Sequence, residues 1–435
     1  MSVEESSYIV WKFGGTSQKY STYKMILNKL AKQNTKVVIV LSAISGITNK
    51  LLELIKSNEN IIYDIIQSNY LLADICQVNI NDIIENFIFE HINKKSLDDQ
   101  ISIISKGEFF TCNILNRFLQ NNNIKSKFIS SLDVIYSNLE NNTIYNNGEF
   151  SVDLSEILLN FESNDVIIIP GFSGRTPNNK SCLLGRGGSD TSGSIIAAAL
   201  NAKLYEIWTD VNGIYSSDPR KVSNTFINKI VHYDAAQELA AMGAKIIHPY
   251  CILPCAEKSI PIHIKNTFNP NALSTVICNT LNNTVYGVTI QDNVKVFKVT
   301  SLNMWNNYGF VYDIFATFKE FNVDVNIINT SQFNITTTTE ESDIVKLEEI
   351  KKILEKKYHV ELKFNNSIVS VVGDNIRLID NIGVIFKLTK EFNIITTSYS
   401  SNNMSLSFVI DTINCIKLAQ LLHDTVYENK ITQLN

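Results

Sequence analysis

The sequence predicts an α/β protein in three layers, αβα, around a mainly parallel sheet, followed by two copies of a smaller α+β module. Three observations carry that expectation. Short Val- and Ile-rich runs alternate with amphipathic stretches through the first two thirds of the chain. The character changes near residue 283. Beyond that point a block of sequence returns at an offset of 71 residues. A chain of 435 residues is also long enough for two or three domains, and 45% hydrophobic with 19% charged residues is ordinary for a folded protein.

The runs Tyr8–Phe13, Lys36–Ser42, Val166–Gly171 and Leu204–Thr209 read as buried strands that end in Gly, Ser or Thr. Between them, Tyr23–Ala31, Ser45–Ile55, Ile101–Leu119, Val152–Phe161 and Thr191–Leu200 read as amphipathic helices, and Ala235–Met242 as a further helix. Strand, crossover and strand in succession imply parallel strands covered on both faces, with ligands at their carboxyl ends. That places the turn after Phe13 and the segment after Thr209 on one edge. From Val296 the order becomes strand, helix, strand, strand, helix, strand. Lys319-Glu-Phe-Asn322 recurs as Lys390-Glu-Phe-Asn393, with Phe315 matching Phe386 and Val323 matching Ile394. Each copy is a helix followed by a strand, Val325–Thr330 and Ile394–Tyr399, which indicates a tandem module.

Composition removes several classes of function. The 38 basic and 43 acidic residues leave a net charge of −5, which disfavours a nucleic-acid binder. No apolar run approaches the roughly 20 residues of a membrane helix. The acidic start, Met1–Ser7, has neither a signal-peptide nor a transit-peptide pattern, so a cytoplasmic location is expected. Seven cysteines at scattered positions fit no zinc or disulfide spacing and read as buried thiols in a reducing compartment. Only Arg117, Arg175, Arg186, Arg220 and Arg377 are arginines; Lys supplies the other basic residues. Three of the five lie between residues 175 and 220, where a planar, bidentate donor is useful for anions.

Four motifs carry chemistry. Leu184-Gly-Arg-Gly-Gly-Ser-Asp190 leads into the helix at Thr191. Alone it is either a Gly-rich turn with a capping Asp or an anion site at a helix N-terminus, with Arg186 forking onto a carboxylate or phosphate. Trp11-Lys-Phe-Gly-Gly-Thr-Ser17 puts Lys12 on a strand end before two glycines. The spacing is not that of a Walker A loop, yet Lys12 could meet a phosphate as a point charge. Ile207-Trp-Thr-Asp-Val-Asn-Gly-Ile-Tyr215 followed by Asp218-Pro-Arg220 offers a hydroxyl, a carboxylate, an aromatic wall and an Arg on a rigid bend, which suits a nucleotide. Gly243-Ala-Lys-Ile-Ile-His-Pro249 adds Lys245, while His248 reads as structural rather than as a catalytic base. Anion-binding elements with little acid–base machinery fit phosphoryl transfer. If the acceptor is a carboxylate, it is already ionised at pH 7 and needs no general base.

With Leu41-Ser-Ala-Ile-Ser-Gly-Ile-Thr-Asn49, Ser105-Lys-Gly-Glu108 and Gly171-Phe172 added, the set resembles the aspartokinases of the amino-acid kinase family, from Lys12 to about Ile410. Ser301-Leu-Asn-Met304 followed by Gly309-Phe310 is similar to the single-function, lysine-sensitive type. The resemblance implies an amino-acid kinase domain over 1–283 and ferredoxin-like ACT modules over 284–366 and 367–435, with a leading strand shared. It implies that Lys12, with Asp190 and Lys245, acts on the transferring phosphate, and that Gly14 and Gly15 give backbone donors. Thr209, Asp210, Tyr215, Arg220 and Lys245 match the nucleotide site. Thr48, Glu108, Arg186 and Ser189 match the aspartate site, where Arg186 clamps a carboxylate and Glu108, helped by Asp190, holds the amino group. The implied reaction is ATP plus L-aspartate giving 4-phospho-L-aspartate and ADP, with Mg²⁺ carried by the nucleotide and no protein metal site. The ACT pair implies a homodimer, or a dimer of dimers, and an effector amino acid at Met304, Asn307, Phe310, Val311, Asp324, Val325 and Asn326. A fused homoserine dehydrogenase is not expected, because the sequence stops at Asn435.

The regulatory half departs from the family pattern. Asn326 and Gln332 stand where an Asp and a Glu are usual, which removes two negative charges at nearly constant shape. Weak, absent or redirected inhibition by lysine is therefore expected, unless backbone groups hold the effector. Two other readings remain open at this level: a related kinase with another acceptor, and a non-catalytic amino-acid sensor.

Overall fold

The computed structural model describes residues 8–56, 60–92, 96–140, 149–244, 246–281, 284–301, 308–376 and 382–434. They fall into two compact units. The first holds Met1–Ile214, Ile227–Gln237 and Ile246–Thr280; the second holds Tyr215–Phe226, Glu238–Lys245 and Leu281–Asn435.

The first unit is built on an eight-stranded sheet. Its central strands, Tyr8–Phe13, Lys36–Leu41, Val166–Pro170, Leu204–Thr209 and Ile262–Asn266, run parallel. Next to them Thr275–Cys278 is antiparallel to Ile262–Asn266, and Ile230–His232 forms the edge beyond it. Strand alternation explains the layering. Trp11 and Phe13 point to one face and join a buried cluster with Tyr23, Ile26 and Leu30 of the helix Tyr20–Leu30 and with Phe110 and Ile114 of the helix Leu97–Asn121. Lys12 points to the other face, towards the helix Gly188–Ala199. The chain leaves Tyr8–Phe13 towards Lys36–Leu41 on one side and later returns to Leu204–Thr209 on the other. The order of the sheet therefore reverses at Tyr8–Phe13, the place where α/β sheets open a ligand crevice.

The second unit has a six-stranded antiparallel sheet. Two long strands, Val285–Thr300 and His359–Gly373, pair at its centre from Val285↔Gly373 to Thr300↔His359. Asn334–Thr339 with Ile328–Thr330 extends one side, and Ser405–Asp411 with Ile394–Tyr399 the other. The helices Phe310–Glu320 and Ile382–Thr389 occupy equivalent places before the strands that begin at Ile328 and Ile394. His359–Gly373 runs unbroken through residues 366 and 367.

Some boundaries depart from the sequence reading. The helix expected from Val152 begins at Ser155, because Val152 ends a short strand, Phe150–Val152, paired with Ile135–Ser137. The strand expected from Val325 begins at Ile328. Just before it the ladder is irregular: Ile327 N–H donates to the Thr338 hydroxyl, while Asn326 N–H donates to the Thr338 carbonyl. A Thr side chain there replaces a backbone acceptor.

Candidate active site

At the carboxyl end of Tyr8–Phe13 the chain turns sharply through Gly14 and Gly15 into a short 3₁₀ turn, Gly15–Ser17. Gly14 N–H donates to the Trp208 carbonyl at 3.1 Å, and Ser45 N–H to the Gly15 carbonyl at 3.1 Å. A Cβ on Gly15 would lie 2.8 Å from the Ala43 carbonyl oxygen, so the two turns meet only because the side chain is absent. Beneath them, Trp208 stacks on Phe13 and donates its indole N–H to buried Glu206, which also pairs with Lys29. That buried network fixes the strand ends carrying the turns.

The Gly-rich loop closes the other side. Gly185 and Gly187 take positive φ of 76° and 68°, turning the chain so that the helix Gly188–Ala199 points its N-terminus at the same space. A Cβ on Gly187 would come within 2.3 Å of the His248 Cβ. The result is a cleft of about 330 Å³. Its lining brings together Lys12, Gly15, Thr48, Glu108, Arg186, Ser189 and Asp190 from four separate segments.

The electrostatics are uneven. Lys12 Nζ pairs with Asp190 at 2.5 Å, and both side chains are largely buried. Arg186 is exposed on the rim. Glu108 is buried on the long helix; its Oε1 accepts from Ala43 N–H at 3.2 Å, while Oε2 has no hydrogen-bond partner. Burial pushes its carboxyl up to about 8. An orphaned carboxylate oxygen facing a cleft is the acceptor a cationic ligand group would satisfy.

Other expected site residues lie apart from this lining. Gly14 sits beside it, since a Cβ there would touch Lys12 Nζ at 3.5 Å. Thr209 ends the adjacent strand and Asp210 follows it, with the Thr209 hydroxyl donating to Asp210 at 3.3 Å. Tyr215 and Arg220 belong to the second unit. There Asp218 grips Arg220 through Nε and Nη2, both at 2.9 Å, and that guanidinium holds the Asp218 carboxyl below its usual range. Lys245, Met304 and Asn307 lie outside the described residues. Of the other effector positions, Phe310 and Val311 start a helix, and Asp324 and Asn326 are exposed on either side of Val325.

Sequence reasoning missed the Ala43 amide as the partner of Glu108 and the packing of His248 on Gly187. It also missed Asn266 and Thr267, which bond around Thr209 and Asp210. None of these belongs to a local pattern, so only the fold reveals them. Among the described residues no three His, Cys, Asp or Glu side chains are grouped to hold a metal ion, and no helix is long and apolar enough to cross a membrane.

A mainly parallel sheet thus sets two glycine turns, a buried Lys–Asp pair and an Arg around one cleft, an arrangement of anion-binding groups. Residues 7–266 match the model of the amino acid kinase family, and the chain belongs to that family. Among characterised relatives, it is 31% identical to the bifunctional aspartokinase/homoserine dehydrogenase of Buchnera aphidicola, over 97% of this chain and 57% of that protein. It is 26% identical to the lysine-sensitive aspartokinase 3 of Escherichia coli, over 97% of this chain and 100% of the other. In three dimensions it resembles E. coli aspartokinase III crystallised with aspartate and ADP, with a TM-score of 0.82 at 24% identity, covering 97% of this chain and 100% of that one. The chain thus spans little more than half of the first relative and the whole of the second.

Proposed function

We propose that this chain transfers the γ-phosphoryl group of ATP to the side-chain carboxylate of L-aspartate, giving 4-phospho-L-aspartate and ADP, the first step of aspartate-family amino-acid biosynthesis. The observation that carries it is the cleft itself, which sets Arg186, the unpartnered Glu108 oxygen and the Lys12–Asp190 pair around one small space. Those are the partners of an α-carboxylate, an ammonium and a phosphoryl group. The aspartokinase names and bound aspartate of the relatives agree with that assignment.

In the reaction a carboxylate oxygen of aspartate forms a bond to the γ-phosphorus, while the bond from that phosphorus to the β,γ-bridging oxygen breaks and ADP leaves with the electron pair. No proton need move, because the acceptor is ionised. The obstacle is repulsion between two anions, worth about 4 kcal/mol per pair of unit charges at 4 Å in a protein-like dielectric. Lys12 offsets it with the Gly14 and Gly15 turn, and Asp190 keeps the ammonium aimed into the cleft until substrate arrives. Thr48 and Ser189 orient aspartate between Arg186 and Glu108. Thr209, Asp210, Tyr215, Arg220 and Lys245 hold the nucleotide. Mg²⁺ would be carried by the phosphates of the nucleotide, as the resemblance to the aspartokinases implies. When bound, it shares the charge of the transferring group.

The paired modules of the second unit bind an effector amino acid and join two chains into a homodimer or a dimer of dimers, and the enzyme works in the cytoplasm. The test is aspartate-dependent ADP release with MgATP, with hydroxylamine trapping of the acyl phosphate. Lys12→Ala should lose at least about 100-fold in kcat, the scale of a lost transition-state charge partner. Turnover of glutamate at the rate of aspartate, or none of either, would reject the assignment.

A further inference from the structure

Three strands end beside one another at the site edge: Tyr8–Phe13, Leu204–Thr209 and Ile262–Asn266. The first two lead into the glycine turn and the Thr209–Asp210 segment. The third leads into Asn266 and Thr267, which line no part of the cleft; Thr267 bonds to both of the other exits and Asn266 to the one after Thr209. Thr267 N–H donates to the Thr209 carbonyl at 2.8 Å. The Thr267 hydroxyl lies 2.7 Å from the hydroxyl of Ser17, which also donates weakly to the Trp208 carbonyl at 3.5 Å. Ser17 is fully buried and Thr267 nearly so, which strengthens that hydroxyl pair relative to one in water.

Asn266 completes the bridge. Its amide donates to the Asn212 side chain at 2.7 Å and to the Asp210 carbonyl at 3.4 Å. Its carbonyl oxygen accepts the N–H groups of Phe268 at 2.8 Å and Asn269 at 3.3 Å. One side chain therefore ties the turn after Thr209 to the loop after Asn266. The Phe268 ring in turn carries the Lys19 ammonium 4.6 Å from its centre, a second tether to the chain just after the glycine turn.

We propose that Asn266 and Thr267 are positioning residues that set the spacing between the phosphate-binding turn at Gly14–Ser17 and the nucleotide-binding segment at Thr209–Asp210, and so govern affinity for ATP rather than for aspartate. The inference rests on the nucleotide reading given above. The physical reason is that a nucleotide spans both segments. A shift of either strand exit misplaces its phosphates relative to Lys12, whereas Glu108, Arg186 and Thr48 stand on other elements and are not displaced.

The test uses the full chain with Thr267→Val, Thr267→Ser, Asn266→Ala and the wild type. MgATP affinity is measured by calorimetry, KM for ATP and for aspartate by steady-state assay, and Tm by thermal unfolding. Thr267→Val, which keeps shape and removes the hydroxyl, should weaken ATP about 5- to 50-fold, the effect of leaving one buried hydrogen-bonding group unpaired. KM for aspartate should stay within about twofold, the wild type and Thr267→Ser should coincide, and Asn266→Ala should move in the same direction as the valine variant. An unchanged ATP constant in the folded variants, equal weakening of both substrates, or no rescue by Thr267→Ser would overturn the proposal. If Thr267→Val does not fold, Asn266→Ala decides by the same criteria. A wild type that binds MgATP but does not phosphorylate aspartate would sink the functional reading alone, because the calorimetric comparison still tests the spacing role.

Discussion

Glu108 shows how much one side chain's surroundings can change its chemistry. On an exposed helix face it would be ionised at neutral pH; buried with a single N–H partner it titrates near 8. The empty site at pH 7 thus holds mostly the neutral acid, and an ammonium group that binds there drives the proton off. Deprotonation strengthens the ammonium contact, so kcat/KM for aspartate should rise with pH along a limb centred near 8, the value of the free enzyme. Glu108→Gln should abolish that limb and lower kcat/KM about 10- to 100-fold, as expected for a lost charged hydrogen bond, with KM for ATP little changed. A pH–rate profile of both proteins decides it. The same shift acts on stability with a fixed sign. A raised carboxyl contributes stability that is complete below the unfolded value of 4.5 and is lost as pH climbs through about 8. Glu108 was legible only by family resemblance; its unusual acidity depends on burial, which residue order does not encode.

The loop from Leu184 to Asp190 and the helix that follows are the element on which the site turns. Its start and type could be read from three glycines and a capping-type Asp, although the helix begins at Gly188 rather than Thr191 because the Gly187 turn lets it start a turn earlier. Gly187 has both a left-handed φ and the His248 side chain pressed against it. Gly187→Ala should therefore reduce kcat at least about tenfold through displacement of Arg186 and Asp190, since small misplacements in phosphoryl transfer are expensive. Gly46→Ala, at φ 86° but with open space around it, separates backbone strain from steric displacement: it should lower Tm more than kcat. Equal kcat losses in the two variants would show that strain alone matters. Strand identity was legible wherever Val and Ile alternate or run together, as in Tyr8–Phe13 and Leu204–Thr209. It failed at Val325, where the ladder is completed by a Thr side chain, a choice invisible to periodicity.

For the molecule as a whole, the mainly parallel sheet of the first unit and the antiparallel sheet of the second, with equivalent helices before Ile328 and Ile394, agree with what the pattern of elements suggested. The assignment of intervals to units does not follow sequence order. Tyr215–Phe226 is held inside the second unit by the Ser217 hydroxyl on the Val288 carbonyl at 2.7 Å, by Ser223 on Gln420 and by Lys221 on Asp292. Ser216 shares a 2.9 Å hydrogen bond with His423, a fully buried residue on the last helix. Burial lowers the His423 pKa, with Asp424 beside it raising it in part. In unfolding, His423 regains its usual value near 6.5, so the unfolded chain binds the extra proton and stability falls as pH drops through 6.5. His423→Gln should thus be less stable than the wild type at pH 7.5, with the gap in Tm closing by pH 5.5; a constant gap would refute it. Regulation belongs to this scale as well. With Asn326 and Gln332 in place of two acids, lysine in the submillimolar range should inhibit weakly or not at all. Asn326→Asp with Gln332→Glu should increase that inhibition, read from steady-state titrations.

The threading of Tyr215–Phe226 into the second unit has a consequence for how such a chain can be recombined. A foreign regulatory half spliced on after residue 283 would arrive without the interval that its own surface was built to grip. It would leave Ser216, Ser217 and Lys221 facing an unmatched neighbour. A working hybrid must exchange that interval, and Glu238–Lys245 with it, together with everything from Leu281 onward. Swapping regulation between such enzymes is therefore a graft of three pieces, not of one tail.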